Sequence, residues 1–483
     1  MTRSCETPPN TQSPSDTNIV SWNGDSDANN PRNWTLGRRC TMIGLVTGVC
    51  FVSGLSSSMF APAVPDVMKE FSSSNDVLAS FVVTIFVLGL AVGPVAFAPL
   101  SELYGRLVIQ HVGNIGFLAF TISCALASSL PMLIGFRLLQ GMFGSVPFTN
   151  GGAVIADLIV QERRGLALTL FTCGIFLGPV VGPIAGGFLA KEEDWRWIFW
   201  LLSIMQGVLT IMCLVFLRET YPNIILERRL KRLRQETGNL QLRTKFDNGL
   251  TPRQYFNRGI LRLVRMLVFS PAVLFLSIYV GLLYSYFYLL VTTITPLYQD
   301  TYGFERGVVG LSYLGLGAGF MLGQFTFAST SDKLVKRLSC KWGGEMQPEY
   351  RLPPCMIGGL FVPISFFWYG WAAQAKAHWI LPIMGTSLLG FGNSLVFMSI
   401  QAYFVDAYTV YAASALGANT VVRSVMASVL PLAVPKMNES LGIGWASSLL
   451  AFLAILLLPF PYVFFRYGER LRKSPGNRRV MDG

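Results

Sequence analysis

Residues 78–99 read LASFVVTIFVLGLAVGPVAFAP and contain no charged side chain. Because an α-helix rises 1.5 Å per residue, a helix over this stretch reaches about 33 Å, close to the roughly 30 Å of a bilayer hydrocarbon core. No water is available at that depth, so the backbone groups must be bonded within the helix itself. These residues therefore predict a membrane-spanning helix.

The rest of the chain repeats this pattern. Apolar residues make up 52% of 483 positions and charged residues only 13%, which is about half the charged fraction of a typical soluble domain. The predicted spans are residues 40–61, 78–99, 108–128, 132–156, 167–190, 196–217, 271–296, 307–329, 352–372, 379–403, 411–435 and 443–465. We expect an all-α membrane protein whose twelve transmembrane helices form two six-helix halves around a central cavity.

Polar stretches divide the chain into five parts. The first thirty residues are rich in Ser, Thr, Asn, Asp and Pro and contain no apolar core that could serve as a signal peptide. The predicted parts are a disordered cytosolic tail (1–39), the first half (40–217), a basic cytosolic linker (218–270), the second half (271–465) and a basic cytosolic tail (466–483).

The placement of Lys and Arg predicts the orientation of the spans. If both termini are cytosolic, the outer loops hold only six of the 38 basic residues: Lys69, Lys191, Arg196, Arg306, Lys376 and Lys436. The positive-inside rule then favours cytosolic termini, and the net charge of +12 requires no nucleic-acid partner. We expect a multi-pass protein of the plasma membrane, with a vacuolar or vesicular membrane as the alternative. Within the linker, residues 225–238 (ILERRLKRLRQETG) suit either an anionic membrane surface or a solvated linker helix.

The turn after the second span carries the first charged motif. In AFAPLSELYGRL (96–107), Gly105 permits a tight turn, and Glu102 is placed to face the positive end of a neighbouring helix. Arg106 is expected to form an ion pair with Asp157, which lies at the same end of span four.

Span four begins with FRLLQGMFGSVPFTNGGAVIAD (136–157) and contains an arginine. An arginine in an apolar span costs at least roughly 2.5 kcal/mol, so Arg137 should face an aqueous cavity or a polar partner. The alternative is an interfacial anchor whose side chain extends to the membrane surface. Gln140 and Gly141 complete the motif, one turn further along.

Two spans carry glycines at every fourth position. Span five contains CGIFLGPVVGPIAGGFL (173–189) and span eight contains LGLGAGFMLGQF (314–325). The predicted packing and hinge residues are Gly174, Gly178, Pro179, Gly182, Pro183 and Gly186 in span five, and Gly315, Gly319 and Gly323 in span eight. Small residues at this spacing let backbones approach closely, and proline removes a backbone donor. We expect the two glycine faces to pack together across the halves and to act as a hinge.

These motifs resemble those of the major facilitator superfamily. Glu102, Gly105 and Arg106 match its loop signature, although Ala98 and Leu107 replace its first glycine and last basic residue. Residues 137–141 match its Arg-x-x-Gln-Gly pattern, and span five resembles the motif of its antiporters. NNPRNWTLGRR (29–39) and GANTVVRSVMASVLPL (417–432) are similar to segments of fungal twelve-span drug:proton antiporters. The resemblance implies proton-driven export of small amphipathic molecules.

Aromatic and polar side chains within the spans are the candidates for binding a substrate. They are Asn150, Tyr284, Tyr286, Tyr288, Gln324, Asn393, Asn419 and Arg423. Tyrosine offers an apolar ring and a hydroxyl, which suits amphipathic ligands, but each amide could instead bond to a neighbouring backbone group. No Asp or Glu lies deep in a span. This argues against a polycation carrier and leaves the proton site to the Arg106 and Asp157 pair or the region around Arg137.

Other classes of protein fit the sequence less well. The two histidines, His111 and His378, fall on opposite sides of the predicted membrane, and the eight cysteines have no paired spacing. We therefore predict no enzyme, no metal site and no cofactor. Two matched halves favour a transporter over a channel. We expect a monomer in the lipid bilayer whose partners are protons and the substrate; uptake of a small organic nutrient is the alternative to export.

Overall fold

A computed structural model describes residues 19–24, 26–159, 164–239, 241–244, 251–341, 346–408 and 412–472. The first half contains α1 (Leu36–Ser58), α2 (Val64–Glu70), α3 (Asp76–Tyr104), α4 (Arg106–Ala125), α5 (Leu130–Gly144), α6 (Val146–Leu158), α7 (Arg164–Glu192) and α8 (Arg196–Phe216). The linker contains α9 (Pro222–Thr237) and α10 (Pro252–Phe269). The second half contains α11 (Pro271–Tyr302), α12 (Arg306–Val309), α13 (Leu314–Lys341), α14 (Pro353–Gln374), α15 (Ile380–Tyr408), α16 (Ala412–Val429), α17 (Val434–Leu457) and α18 (Pro459–Arg472).

Short elements complete the described chain. Strands β1 (Ile19–Val20) and β2 (Arg243–Thr244) pair in parallel. Single 3₁₀ turns cover Pro31–Asn33, Ala61–Ala63, Gly310–Tyr313, Pro348–Arg351 and Leu430–Ala433.

The described helices make twelve spans. Ten helical stretches are long and apolar enough to cross a membrane, and one of them, Ser414–Arg470, has 57 residues. That length would reach about 85 Å as one helix, far more than a bilayer. Gly442 divides it with a φ of 75°, and the second part runs antiparallel to α14, because Gly444 bonds to Gln374 and Gly468 lies against Glu349. Helices α5 and α6 meet at Ser145 and form the remaining span.

The two halves repeat one packing scheme. In the first half α3 packs on α5, where a methyl group added to Gly89 would lie 2.8 Å from the carbonyl carbon of Gly141. In the second half α13 packs on α15, where a methyl group added to Gly390 would lie 3.2 Å from the carbonyl carbon of Gly319. Each half is therefore held together by contacts between backbones.

The expected contact between the two glycine faces is wrong. The face on α7 packs on α1 of its own half, where a methyl group on Gly178 would lie 2.6 Å from the carbonyl oxygen of Phe51. The face on α13 packs on α15, where a methyl group on Gly323 would lie 2.7 Å from the carbonyl oxygen of Phe391. The glycines permit close approach as predicted, but the partner of each is a helix of the same half.

The segment before α1 is folded where the structure describes it. Residues 19–34 lie beside the linker: β1 pairs with β2, and Asp27 forms an ion pair with Arg229 at 2.9 Å. The disorder predicted for 1–39 is therefore wrong for 19–39, apart from residue 25, while residues 1–18 lie outside the described residues, as do 473–483 of the basic tail.

In α9, Leu226 and Leu230 are buried by protein, which favours a linker helix over one on a membrane surface. We call the side with this segment, the linker and α18 the linker side.

Candidate functional site

The turn between α3 and α4 is capped by an acid from the linker. Gly105 has a φ of 97°, a conformation that glycine adopts without strain. The backbone N–H groups of Arg106 and Leu107 donate to the Glu219 carboxylate at 3.0 and 3.3 Å. A carboxylate at a helix N-terminus is favourable because unpaired N–H groups and the helix dipole both point toward it. Glu102, for which the sequence predicted a place facing the positive end of a neighbouring helix, lies in the last turn of α3.

Glu219 was missed by the sequence analysis. It lies two residues beyond the predicted end of span six, within the stretch predicted to be a basic cytosolic linker, yet it is only 6% exposed. A signal was available: a single acid between a span and a helix that begins with Pro222. The sequence does not show which helix this acid caps, because the partner is 113 residues away.

The predicted ion pair between Arg106 and Asp157 is present. Arg106 Nε lies 3.9 Å from Asp157 Oδ2, and both side chains are largely buried. Arg106 also donates to Ser101 Oγ at 2.6 Å, and its guanidinium lies 4.7 Å from the centre of the Tyr221 ring. Thr220 donates to Asp157 at 3.3 Å. The pair therefore joins the ends of α3, α4 and α6 to the linker.

The second half has a matching cluster on the linker side. Arg351 Nε lies 2.9 Å from Asp406 at the end of α15, and Arg351 Nη1 lies 2.6 Å from Asp332 on α13. The sequence analysis did not single out Arg351, because it precedes α14 by two residues and resembles an ordinary loop charge. In each half, an arginine at the start of the third span thus pairs with an aspartate at the end of the fourth span.

Arg137 lies fully inside the first half, with no exposed surface. Its Nη1 donates to the carbonyl oxygen of Ser56 at 2.9 Å and to Gln140 Oε1 at 3.3 Å. Ser56 belongs to the last turn of α1, where carbonyl groups lack helical partners and a positive charge is favourable. Polar partners inside the protein were predicted for Arg137, and this placement excludes the interfacial anchor. Gln140 in turn donates to Thr121 at 2.8 Å.

Tyr284, Tyr288, Phe397, Asn419 and Arg423 form a group between the halves that we call the central cluster. The guanidinium of Arg423 lies 4.4 Å from the ring centre of Tyr284 and 5.0 Å from that of Phe397. The rings of Tyr284 and Tyr288 are 5.3 Å apart. Asn419 lies one turn before Arg423 and is fully buried. The cluster therefore combines aromatic faces, a cation and an amide.

The other substrate candidates lie elsewhere. Tyr286 donates to the carbonyl oxygen of Leu450 inside the second half, and Asn393 donates to that of Leu283. Asn150 donates to the carbonyl oxygen of Arg106, on the linker side. Each of these three side chains thus bonds to a backbone group, which was the alternative left open for the two amides, Asn393 and Asn150. Of the candidates, Tyr284, Tyr288, Asn419 and Arg423 belong to the central cluster, and their role in binding a substrate stays a prediction.

Gln324 lies where the halves meet. Its Oε1 accepts from the Cys173 thiol at 2.8 Å, which links α13 to α7. Further along this contact, Phe176 stacks on Phe320 with ring centres 4.9 Å apart, and Gly317 lies against Val180. The two predicted hinge prolines lie in the same region of α7. Because Pro183 has no N–H group, it cannot donate to the carbonyl oxygen of Pro179. That oxygen accepts a hydrogen bond from Ser58 Oγ at 2.8 Å instead.

Away from the linker side, a charged pair closes the contact between α7 and the second half. Lys191 Nζ lies 2.7 Å from Glu305 Oε2, and both side chains are exposed. Helix α10 joins the halves on the linker side: Gly259 lies against Pro99 of α3, and Leu263 lies against Gly417 of α16. The halves thus meet through side chains at both ends of the bundle.

Two packed six-helix halves with charged and aromatic side chains between them define a membrane transporter rather than an enzyme. The family model described as the Major Facilitator Superfamily matches residues 46–431, and the chain belongs to that family.

Curated relatives cover nearly the whole chain. The MFS-type transporter tndD of Aspergillus flavipes is 49% identical over 460 residues, which is 94% of this chain and 86% of the relative. The efflux pump radE of Floropilus chiversii is 46% identical, over 95% of this chain and 86% of the relative. The MFS-type transporter penM of Penicillium rubens is 48% identical, over 95% of this chain and 90% of the relative.

A solved structure shares the fold. The xylose transporter XylE from E. coli, in a partially occluded inward-open conformation, superposes with a TM-score of 0.68 at 14% identity. The match covers 89% of this chain and 98% of XylE. At this identity the likeness describes the fold and not the substrate.

Proposed function

We propose that this transporter exports a small amphipathic molecule by alternating access and takes up protons in exchange. In this proposal it resides in the plasma membrane, with the linker side facing the cytosol. It acts as a monomer.

The observation that carries the proposal is a difference between two kinds of interface. Helices within each half touch through glycine and backbone, as at Gly178 and Gly319. Glycine has no side chain that could change its rotamer. A small movement of one helix therefore breaks such a contact. The halves meet at several places through longer side chains, such as Phe176, Phe320 and Lys191, which have rotamers available. Gly310, which lies against the α7 backbone at Pro183, is a contact of the first kind between the halves. Motion is therefore easiest between two rigid halves.

Export is favoured over uptake by the relatives. One of them, 46% identical over 95% of this chain, is described as an efflux pump. Asp157 is the proposed proton carrier, because it is a largely buried acid whose charge is balanced by Arg106 and which contacts the linker through Thr220. Protonation of Asp157 would release Arg106 and loosen the junction between the first half and the linker.

The first prediction tests coupling in inside-out vesicles incubated in a medium that contains a labelled amphipathic panel. With an acidic lumen, the intact protein should accumulate a substrate several-fold over vesicles without a gradient. Asp157→Asn should abolish the effect of the gradient while substrate still equilibrates. Glu439→Gln, which changes an exposed acid on α17, is the matched control and should behave like the intact protein. Substrate movement in the same direction as protons would replace export by nutrient uptake.

A further inference from the structure

Two buried arginines of the described residues have no matching acid: Arg137 inside the first half and Arg423 in the central cluster. Arg137 is fully buried and Arg423 is 9% exposed. Neither forms an ion pair with a carboxylate of the described residues. In a low-dielectric interior such charges attract an anion strongly, because screening by water is weak.

Aromatic rings place Arg423 close to the contact between the halves. Its guanidinium lies 4.4 Å from the ring centre of Tyr284, whose ring lies 5.3 Å from that of Tyr288. It also lies 5.0 Å from the ring centre of Phe397, and that ring packs edge-on against Phe176 of the first half at 5.1 Å. A ligand bound against these rings therefore experiences the positive charge of Arg423.

Polar atoms of the central cluster lack partners in the part of the chain that the structure describes. Both amide atoms of Asn419 are buried and unbonded, and so is Arg423 Nε. Some buried amides elsewhere in the bundle are bonded: Asn393 donates to a carbonyl oxygen of α11, and Gln140 donates to Thr121. Asn419 differs from these because neither of its amide atoms has a partner among the described residues. A buried amide without a hydrogen bond costs free energy. A ligand that bonds to Asn419 and Arg423 removes that cost.

We propose that the central cluster binds the anionic group of an aromatic or conjugated substrate, such as a carboxylate or an ionised phenol. Arg423 pairs with the anion and Asn419 donates a hydrogen bond to it, while the rings of Tyr284 and Phe397 contact the flat part of the molecule. The inference rests on the proposed transport function and adds its substrate class. Cationic compounds are disfavoured because the Arg423 guanidinium repels them.

Two dyes with the same xanthene ring system test the charge preference. Fluorescein is an anion near neutral pH and rhodamine 123 is a cation. With the purified full-length protein in lipid nanodiscs, equilibrium fluorescence polarisation should show at least tenfold tighter binding of fluorescein. Arg423→Gln should bring the two affinities within about twofold, and Arg423→Lys should keep most of the preference because it keeps the charge.

Asn419→Leu separates a role in binding from a role in folding. Leucine is similar in size to asparagine but lacks its two polar amide atoms, which are buried and unbonded at Asn419. The melting temperature should therefore stay the same or rise. Fluorescein binding should nevertheless weaken at least fivefold. Gln206→Leu changes another fully buried amide, on α8, and should leave fluorescein binding unchanged.

The outcomes separate this inference from the proposed function. Binding is measured at equilibrium without a proton gradient, so it is independent of the direction and coupling of transport. Equal affinities, tighter binding of rhodamine 123, no fluorescein binding, or an intact preference in Arg423→Gln overturns the anion site. Loss of gradient-driven transport with the preference intact overturns only the proposed function.

Discussion

Arg137 carries a charge inside the first half, and its neighbours determine what that charge can do. Its guanidinium donates to the Ser56 carbonyl oxygen and to Gln140, and it lies 5.0 Å from the centre of the Phe86 ring. The planar guanidinium group has five N–H donors and can make these contacts at once, whereas a lysine ammonium is a single point charge. The residue is thus placed by its geometry as well as by its charge.

Replacement of Arg137 by lysine should therefore fail even though the charge is kept. We expect transport of the labelled substrate to fall at least tenfold and the protein to lose about 1–3 kcal/mol of stability, because hydrogen-bond partners are left unpaired. Surface expression and vesicle transport measure the two effects. Arg218→Lys, at an exposed position beside the linker, is the matched control and should transport normally. Full transport by Arg137→Lys would contradict a role for the guanidinium geometry.

At the scale of the helix, a glycine pattern predicts close packing but not the partner. Helices α7 and α13 were expected to meet through their glycine faces. They do meet, but through Val180 and Gly317 and through Phe176 and Phe320, while the predicted glycines contact α1 and α15. A face of small residues suits any helix that presents a flat surface, so the spacing alone does not identify the neighbour.

Paired cysteines distinguish the two arrangements. A methyl group on Gly317 would lie 3.4 Å from the Val180 Cβ, close to the roughly 3.5–4.5 Å between the Cβ atoms of a disulfide. In a background without other cysteines, Val180→Cys with Gly317→Cys should crosslink under mild oxidation and stop transport until a reductant is added. Gly178→Cys with Gly319→Cys is the control and should not crosslink. A crosslink in the control pair alone would restore the glycine-to-glycine contact. The bond is measured by cutting the chain in the linker and running the product on a non-reducing gel. The two halves migrate together only when the disulfide joins them.

At the scale of the molecule, the segment before α1 and the linker form one unit on the linker side. Asp27 is buried, accepts from the backbone N–H groups of Asn23 and Asn29 at 2.9 Å each, and pairs with Arg229. These hydrogen bonds, followed by the Arg229 guanidinium, hold the pKa of Asp27 below its usual range. A lowered pKa means that the carboxylate stabilises the folded form above the unfolded pKa of about 3.9, and that this stabilisation is lost as pH falls through the lower folded value.

Asp27→Asn should release this segment. We expect hydrogen exchange in residues 19–34 to rise at least tenfold at pH 7, because the pair with Arg229 and the charge-assisted backbone bonds are weakened. In the intact protein, protection corrected for intrinsic exchange should be constant from pH 8 to 5 and should fall below about pH 4. Glu227→Gln, which changes an exposed ion pair with Lys231 on α9, is the control and should have little effect. Unchanged exchange in Asp27→Asn would contradict the docking.

The sequence alone determined the number of spans, their grouping into two halves and the presence of polar side chains within them. It also predicted the pair between Arg106 and Asp157 and the buried partners of Arg137. The bilayer imposes these features locally, because every twenty-residue window must bond its own backbone and every charge within it must find a partner. Only the tertiary structure decided that Glu219 caps α4, that each glycine face packs within its own half and that Arg423 lies over the Tyr284 ring. The helical period identifies which residues share a face, but the neighbour of that face depends on contacts far apart in the chain.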